Sequence, residues 1–487
     1  MITNSIVVLI VSIFAFIPLI LGEYARNRSS ITCNDFMIQR RQMSIGPMYA
    51  TVFATWMSAF AFMGGIAYFF EEGPIYMTTV GWDMLFALLF VVIGKRIWFY
   101  GKHHGYMTSV DFFADIYESH ALNVIVTVIN ILSTIIYMLA QVVAAILVFE
   151  ILTGNLFSVY MSGFIVFFII CIYLWAGGLR AVAYTDLFYM ILIIGAMLAS
   201  GIFLINKAGG TEFVFTKLAE VQPEKISMTY DRVSLWFSLF VIVPIGAFMG
   251  PQLWLRNYAA KKEANFNLLP FILGLTSVIS IGTLLAGSAC IILAGDTSNP
   301  DSVLLELMSS LASPYFAIFI AIGIFAAIFS TANSQVHALS ATITLDIYRR
   351  YINKTASDVL LVSVAKWAVI AICFVTYIFM IIISSSLFDL AVIALAGTAQ
   401  LMVPVIGALF WPKSSSDAAI GGILCGEVTF VLLLVSGSLA ASLSGLIAFA
   451  VNALLFIIIS LAKPNRLTVS MKIIHYRKEF KNRNTEN

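Results

Sequence analysis

Runs of about 20 apolar residues, the length that carries a helix across a bilayer, recur along the whole chain between short polar breaks. Thirteen transmembrane helices are predicted, near residues 5–22, 47–70, 78–94, 121–149, 158–176, 182–204, 233–255, 266–294, 313–345, 359–384, 387–411, 416–437 and 440–462. The first lacks a basic leader and a small-residue cleavage site, so it reads as a retained helix rather than a signal peptide. An odd number of crossings puts the two ends on opposite faces. With the N-terminus outside, 23 of the 27 Lys and Arg fall to cytoplasmic loops and the tail, and only Lys207, Lys217, Lys225 and Arg232 lie outside. That asymmetry is the positive-inside pattern, and it predicts a multi-pass protein of the cell membrane with a cytoplasmic C-terminus. Residues 1–462 form one transmembrane domain, 463–487 are a basic cytoplasmic tail too short for a second domain, and the loop at 206–231 is a surface cap.

Composition agrees with this pattern and removes other classes. With 61% hydrophobic and 11% charged residues and a mean hydropathy of +0.98, a soluble domain is excluded. Net charge is +2, and no basic block interleaves with aromatics inside the folded region, so nucleic-acid binding has no footprint. The five cysteines, Cys33, Cys171, Cys290, Cys373 and Cys425, are scattered without pairing or metal-ligand spacing and read as free thiols. No nucleophile–base pair, metal-ligand cluster or phosphate loop is present to suggest an enzyme. The lipid bilayer is the expected partner surface, and the chain is expected to work as a monomer without an organic cofactor.

Two departures from plain hydrophobicity carry chemistry. In the ninth predicted span, Ala327, Ser330, Thr331 and Ser334 fall at i, i+3, i+4 and i+7, so on a helix their oxygens line one face inside lipid. Uncharged oxygens at that depth suit a hard, partly dehydrated cation such as sodium. Close helix packing by small residues accounts for the same stripe equally well. The second departure is a pair of helix-breaking sites: Met63-Gly64-Gly65 in the second span, and Pro244-Ile245-Gly246 with Gly250-Pro251-Gln252 in the seventh. They lie five spans apart and therefore cross in opposite directions, as inverted repeats of transporters require. Ordinary kinks would look the same.

Four stretches then point one way: Ala54-Thr-Trp-Met57-Ser58 running to Gly65, Gly177-Gly-Leu-Arg180 to Asp186, Met249-Gly-Pro-Gln252 to Lys261, and Phe329-Ser-Thr-Ala-Asn-Ser-Gln335 continuing to Arg349. Gly397-Thr-Ala-Gln400 to Trp411 is a weaker fifth. In this order they resemble the sodium:solute symporter family over residues 7–462. The resemblance implies an all-α membrane protein with a LeuT-type 5+5 inverted repeat, about 47–204 and 233–411, plus one extra N-terminal and two extra C-terminal helices. It also implies sodium-coupled symport of a small polar organic solute into the cell by alternating access, with sodium as the coupling ion and only metal.

The same resemblance assigns roles. The main sodium site would use carbonyls at Ala54, Met57 and Ala327 and hydroxyls at Ser330 and Thr331. Depth is compatible: at 1.5 Å per residue, Ala54 lies roughly 10 Å from the inner end of its span and Ser330 roughly 25 Å from the outer end of its own. Asp186, Asn333 and Ser334 match a second sodium site of some members, or Asp186 is a helix N-terminal carboxylate near the inner water. Asp83 matches an acid that binds solute in the sugar-transporting branch, or it has a structural partner. Ser58, Gln141, Phe248 and Gln400 are further candidate lining residues. Trp56 stands where some branches carry an Asp linked with cation coupling, so any sodium is expected to bind without a carboxylate from that helix. His337 reads as solvated or hydrogen-bonded, not as a proton relay. The alternatives are proton coupling on the same fold and a transporter-like membrane sensor acting through a partner at its tail.

Overall fold

The computed structural model describes residues 16–25, 32–74, 77–154, 156–294, 299–382, 386–463 and 467–486. Residues 5–15 of the first predicted span lie outside them. Among the described residues the chain is helical throughout, its one β feature an isolated bridge between Met43 and Ala260. Among the described residues ten helices are long and apolar enough to cross a membrane, and the bent pair Ile45–Trp56 (α3) and Phe60–Glu72, which ends in Gly65–Glu72 (α4), makes an eleventh. Phe16–Ala25 (α1) and Val159–Ile172 are apolar but shorter, so the expected count of thirteen is not reached by length alone.

A short helix, Cys33–Ile38 (α2), precedes the first repeat. The repeat then runs through α3 and α4, Thr78–Leu89 (α5) and its continuation Lys95–His104 (α6), the loop helix Ser109–Tyr117 (α7), His120–Thr153 (α8) and Val159–Lys207 (α9). The spans expected at 158–176 and 182–204 meet at Gly178, where the backbone leaves the helical region at φ 57° and ψ −154°. Only glycine suits that turn: its φ is positive, and a Cβ there would sit 2.5 Å from the Phe36 carbonyl of α2. The loop at 206–231 contains Thr211–Val221 (α10), which buries Val214 and Leu218.

The second repeat comprises Tyr230–Met249 (α11), Pro251–Ala259 (α12), Ala264–Thr276 (α13) with Ser280–Leu293 (α14), the short Val303–Leu311 (α15), Pro314–Ala341 (α16), Asp358–Ile382 (α17), and Leu387–Ala399 (α18) with Met402–Phe410 (α19). The α11–α12 break falls at Gly250, held extended at ψ 140°, because the following Pro251 disfavours a helical conformation there. Pro244 stays inside α11. In the first repeat the break is not at the expected glycine pair. It comes seven residues before Gly64, at Met57, whose ψ of 62° ends α3, and the two half-helices meet at 50°. Gly64 and Gly65 remain helical, and Gly64 serves packing instead, since a Cβ on it would lie 2.7 Å from the Leu387 side chain.

The segment before α3 hydrogen-bonds to the end of α12, with the Met43 amide donating to Ala259 O at 3.0 Å and the Lys261 amide to Met43 O at 2.9 Å. The broken helices of the two repeats are thus tied at one end. Helix α16 is buried almost without interruption from Ile320 to Ala341, so every polar residue on it needs an internal partner.

Ser416–Ser436 (α20) and Ala441–Ala462 (α21) follow the repeats. The tail, expected to be only a polar extension, contains the helix Leu467–Glu486 (α22). Its Val469, Ile473 and Tyr476 are buried. Lys472 Nζ donates to Asp115 O at 2.9 Å and to Glu118 Oε1 at 2.6 Å, and the Tyr476 hydroxyl to Asp115 Oδ2 at 2.6 Å. Arg96 lies between the Phe410 and Phe480 rings, 4.6 and 4.7 Å from their centroids. The tail therefore straps the end of α6 and the loop helix α7 to the end of α19.

Candidate functional site

Helix α3 and helix α16 face each other at the first break. Ser330 Oγ donates to Ala54 O at 2.8 Å and approaches Ala327 O at 3.0 Å. Thr331 Oγ1 contacts Ala54 O at 3.4 Å and Thr55 O at 3.3 Å. Four of the five predicted main-site residues are thereby brought together, and Met57 sits at the helix end beside them. The physical basis is the break: a carbonyl near a helix end is released from the regular i to i+4 ladder. Each hydroxyl now donates to a carbonyl, so an entering cation would need both hydroxyls to rotate and offer lone pairs alongside those carbonyls.

One turn further along the same two helices lies a charged cluster. Thr51 Oγ1 donates to Asp186 Oδ2 at 2.5 Å. Arg256, from α12, donates through Nε to Thr51 Oγ1 at 3.0 Å, through Nη1 to Gln252 O at 2.8 Å, and through Nη2 to Ser334 Oγ at 2.5 Å. Its Nη2 is 3.9 Å from Asp186 Oδ2, and both side chains are fully buried. Ser334 Oγ also donates to Ser330 O at 2.7 Å and meets Thr55 Oγ1 at 3.0 Å. Asp186 Oδ1 and Asn333 Oδ1 are buried without a hydrogen-bond partner among the described residues. At a separation near 4 Å, opposite charges in this setting attract by about 4 kcal/mol before desolvation is subtracted.

Sequence reasoning missed Thr51, Thr55 and Arg256. The signal for the threonines was there, since Thr51, Thr55 and Ser58 recur at i, i+4 and i+7 and put hydroxyls on one face of α3. Arg256 was counted with the loop cations, but the structure buries it because α12 turns inward at Pro251. Of the two readings of His337, solvated or hydrogen-bonded, the structure shows the second: the ring is buried with Nε2 3.2 Å from Met37 O.

The predicted solute residues divide into groups. Ser58 Oγ meets the Tyr137 hydroxyl at 3.1 Å, and Gln141 Oε1 accepts from the Ala59 amide at 3.3 Å, so both gather at the α3 break. Tyr137, Ser133, Thr134, Gly250, Gln252 and Thr398 line a narrow cavity of about 10 Å³, room for about one water. Asp83 is held elsewhere: Trp56 Nε1 donates to its Oδ1 at 2.5 Å and Ser280 Oγ to its Oδ2 at 2.8 Å. Trp56 in turn stacks on Phe86 at 4.1 Å. Phe248 packs edge-on against Phe90 at 5.0 Å. Gln400 is drawn toward α21, where Asn452 Nδ2 donates to its O at 2.8 Å and its Oε1 at 3.1 Å.

Two further clusters, one of rings and one of ion pairs and hydrogen bonds, join elements of the two repeats. In the first, Tyr68 stacks on Phe388 at 4.1 Å, and Phe60 contacts Phe388 at 5.0 Å and Trp82 at 6.0 Å. In the second, Arg350 pairs with Asp111 at 2.7 Å, Thr108 Oγ1 donates to Asp346 at 2.6 Å, and Arg41 Nη2 donates to Tyr106 O at 2.6 Å.

A model of the sodium:solute symporter family matches residues 36–426. The chain belongs to this family. The symporter is 24% identical over 451 residues to sodium/proline symporter 2 of Staphylococcus saprophyticus, covering 88% of this chain and 86% of that relative. It is 23% identical over 314 residues to the uncharacterized symporter YhjB of Bacillus subtilis, a match spanning 63% of each chain and so less than two thirds of that relative. A solved structure of a Na+-coupled sialic acid symporter, in a substrate-bound outward-open state, is similar with a TM-score of 0.79 at 18% identity, covering 95% of this chain and 98% of that one. That likeness shows the fold. Family membership and these relatives support sodium-coupled solute symport by a multi-pass membrane transporter.

Proposed function

We propose that this symporter imports a small polar organic solute across the plasma membrane, using sodium entry by alternating access. One observation carries the ion assignment: the Ser330 and Thr331 hydroxyls meet the Ala54 carbonyl at the break in α3, 2.8 and 3.4 Å away. This is a cluster of neutral oxygens on two different helices, the donor set a partly dehydrated sodium ion requires, beside the cavity at Tyr137. Bound sodium favours the conformation with higher solute affinity, and each ligand raises the other's affinity by the same factor. The Lys and Arg bias supports an orientation with α22 and the Arg41, Asp111 and Arg350 contacts on the cytoplasmic side.

The relatives named as proline symporters make proline the first solute to test, followed by other amino acids, sugars, carboxylates and vitamins. A thermal-shift screen with and without sodium identifies the class, because a ligand stabilises with the logarithm of its occupancy. Uptake into liposomes under an imposed sodium gradient then tests coupling. Accumulation with sodium but not with potassium is expected. Equal uptake in potassium removes the sodium assignment, and accumulation that follows an imposed proton gradient instead supports proton coupling.

A further inference from the structure

We infer that Arg256 is the resident cation of the pocket formed by Asp186 and Ser334, so that the symporter carries one sodium ion per transport cycle, at the Ala54, Ser330 and Thr331 site. The inference rests on the sodium reading above and adds its stoichiometry. Three guanidinium nitrogens donate to Thr51, Gln252 and Ser334, while Asp186 lies 3.9 Å away, so the group spans four helices at once. A sodium ion bridging Asp186 to Ser334 would have to take the position the guanidinium already holds.

Charge leads to the same conclusion. Asp186 and Arg256 are both fully buried and cancel one another, whereas a further ion would leave an uncompensated positive charge. Like charges a few ångströms apart in this setting weaken binding on the order of a thousandfold. Arginine suits the role because its fork of donors is rigid and it never deprotonates in proteins. The main site escapes this penalty in part, since its oxygens face the ion one turn away from the guanidinium.

Position gives Arg256 a second effect. Thr51 precedes Ala54 by one helical turn, and Ser334 follows Ser330 by one. By gripping Thr51 and Ser334, Arg256 fixes how far apart α3 and α16 stand at the main site, and it acts there as a positioning residue. The unpartnered oxygens of Asp186 and Asn333 are what a second ion would use if the guanidinium swung away, which makes the two arrangements distinguishable by counting ions.

Binding of radioactive sodium to the purified full-length protein, without solute, gives that count. One ion per chain is expected, with Ser330→Ala raising the sodium concentration needed for half-occupancy. Arg256→Lys should keep one ion, because it keeps the charge. Arg256→Gln should admit a second, which a purely structural arginine would not do. Two ions bound by the wild type, or one still bound by a folded Arg256→Gln protein, would overturn the inference. If Arg256→Gln does not fold, the wild-type count alone decides. No sodium bound at all would instead refute the sodium reading beneath it.

Discussion

Ser330→Ala is the sharpest probe of the proposed coupling site. The substitution removes one hydroxyl oxygen from a fully buried position where it lies 2.8 Å from Ala54 O and 3.0 Å from Ala327 O. In the ion-free protein the loss is one neutral hydrogen bond, about 1 kcal/mol, and the volume change is small, so the fold should survive. In the ion-bound protein the same oxygen faces a full charge, and such contacts contribute about 1.5–3 kcal/mol. The difference, about 0.5–2 kcal/mol, converts to a roughly twofold to thirtyfold rise in the sodium concentration giving half-maximal uptake. The assay is initial-rate solute uptake into liposomes over a sodium titration, with melting temperature measured on the same preparations. A folded variant whose sodium requirement moves by less than about twofold would refute the placement of the ion at this oxygen.

Trp56→Phe should destabilise the symporter by about 1–3 kcal/mol, because the indole is one of the donors to buried Asp83 and a phenyl ring leaves that carboxylate oxygen short of a partner; an unchanged melting temperature in detergent would show that the pair contributes nothing. Docking of the tail should depend on pH at both extremes. Burial alone would push the Asp115 carboxyl up, but the hydroxyls of Tyr106 and Tyr476 and the Lys472 ammonium outweigh it and hold it below its usual value. Its contribution is therefore present above about pH 4 and lost as pH falls through the lowered value of the folded state. For Lys472, burial would lower the ammonium, yet its bonds to Glu118 and Asp115 hold it up, so its contribution is present below about pH 10 and lost as pH rises through the raised value. A nitroxide on Met471→Cys should gain mobility outside that window, and a signal that stays constant from acid to alkali would contradict the ion-paired strap.

Much of the architecture was legible because membrane spans announce themselves by length and hydropathy alone. The hydroxyl stripe on α16 was legible for the same reason, as an exception to that rule. The exact position of the first break was not. Gly64 and Gly65 look like a weak point, but a glycine in a helix buried among neighbours is held by packing, while the actual break at Met57 has no glycine or proline to mark it. Arg256 was unreadable for a different reason: near the end of a span an arginine looks like a loop charge, and only the inward turn after Pro251 reveals that it meets Asp186. Asp83 was expected to have a partner or a ligand, and that partner, Trp56, lies 27 positions away on another helix. Sequence shows that a buried acid needs company, not which side chain supplies it.

The docked carboxyl-terminal helix changes what can be hung on this molecule. A fluorescent reporter or affinity handle joined beyond α22 would pull on Lys472 and Tyr476, and through Asp115 on the loop helix α7 between the second and third crossings of the first repeat. Any protein seeking to read the state of the symporter through that extension would first have to peel it away, breaking the Arg96 sandwich as it did so. The extension is thus closer to a buckle than to a leash.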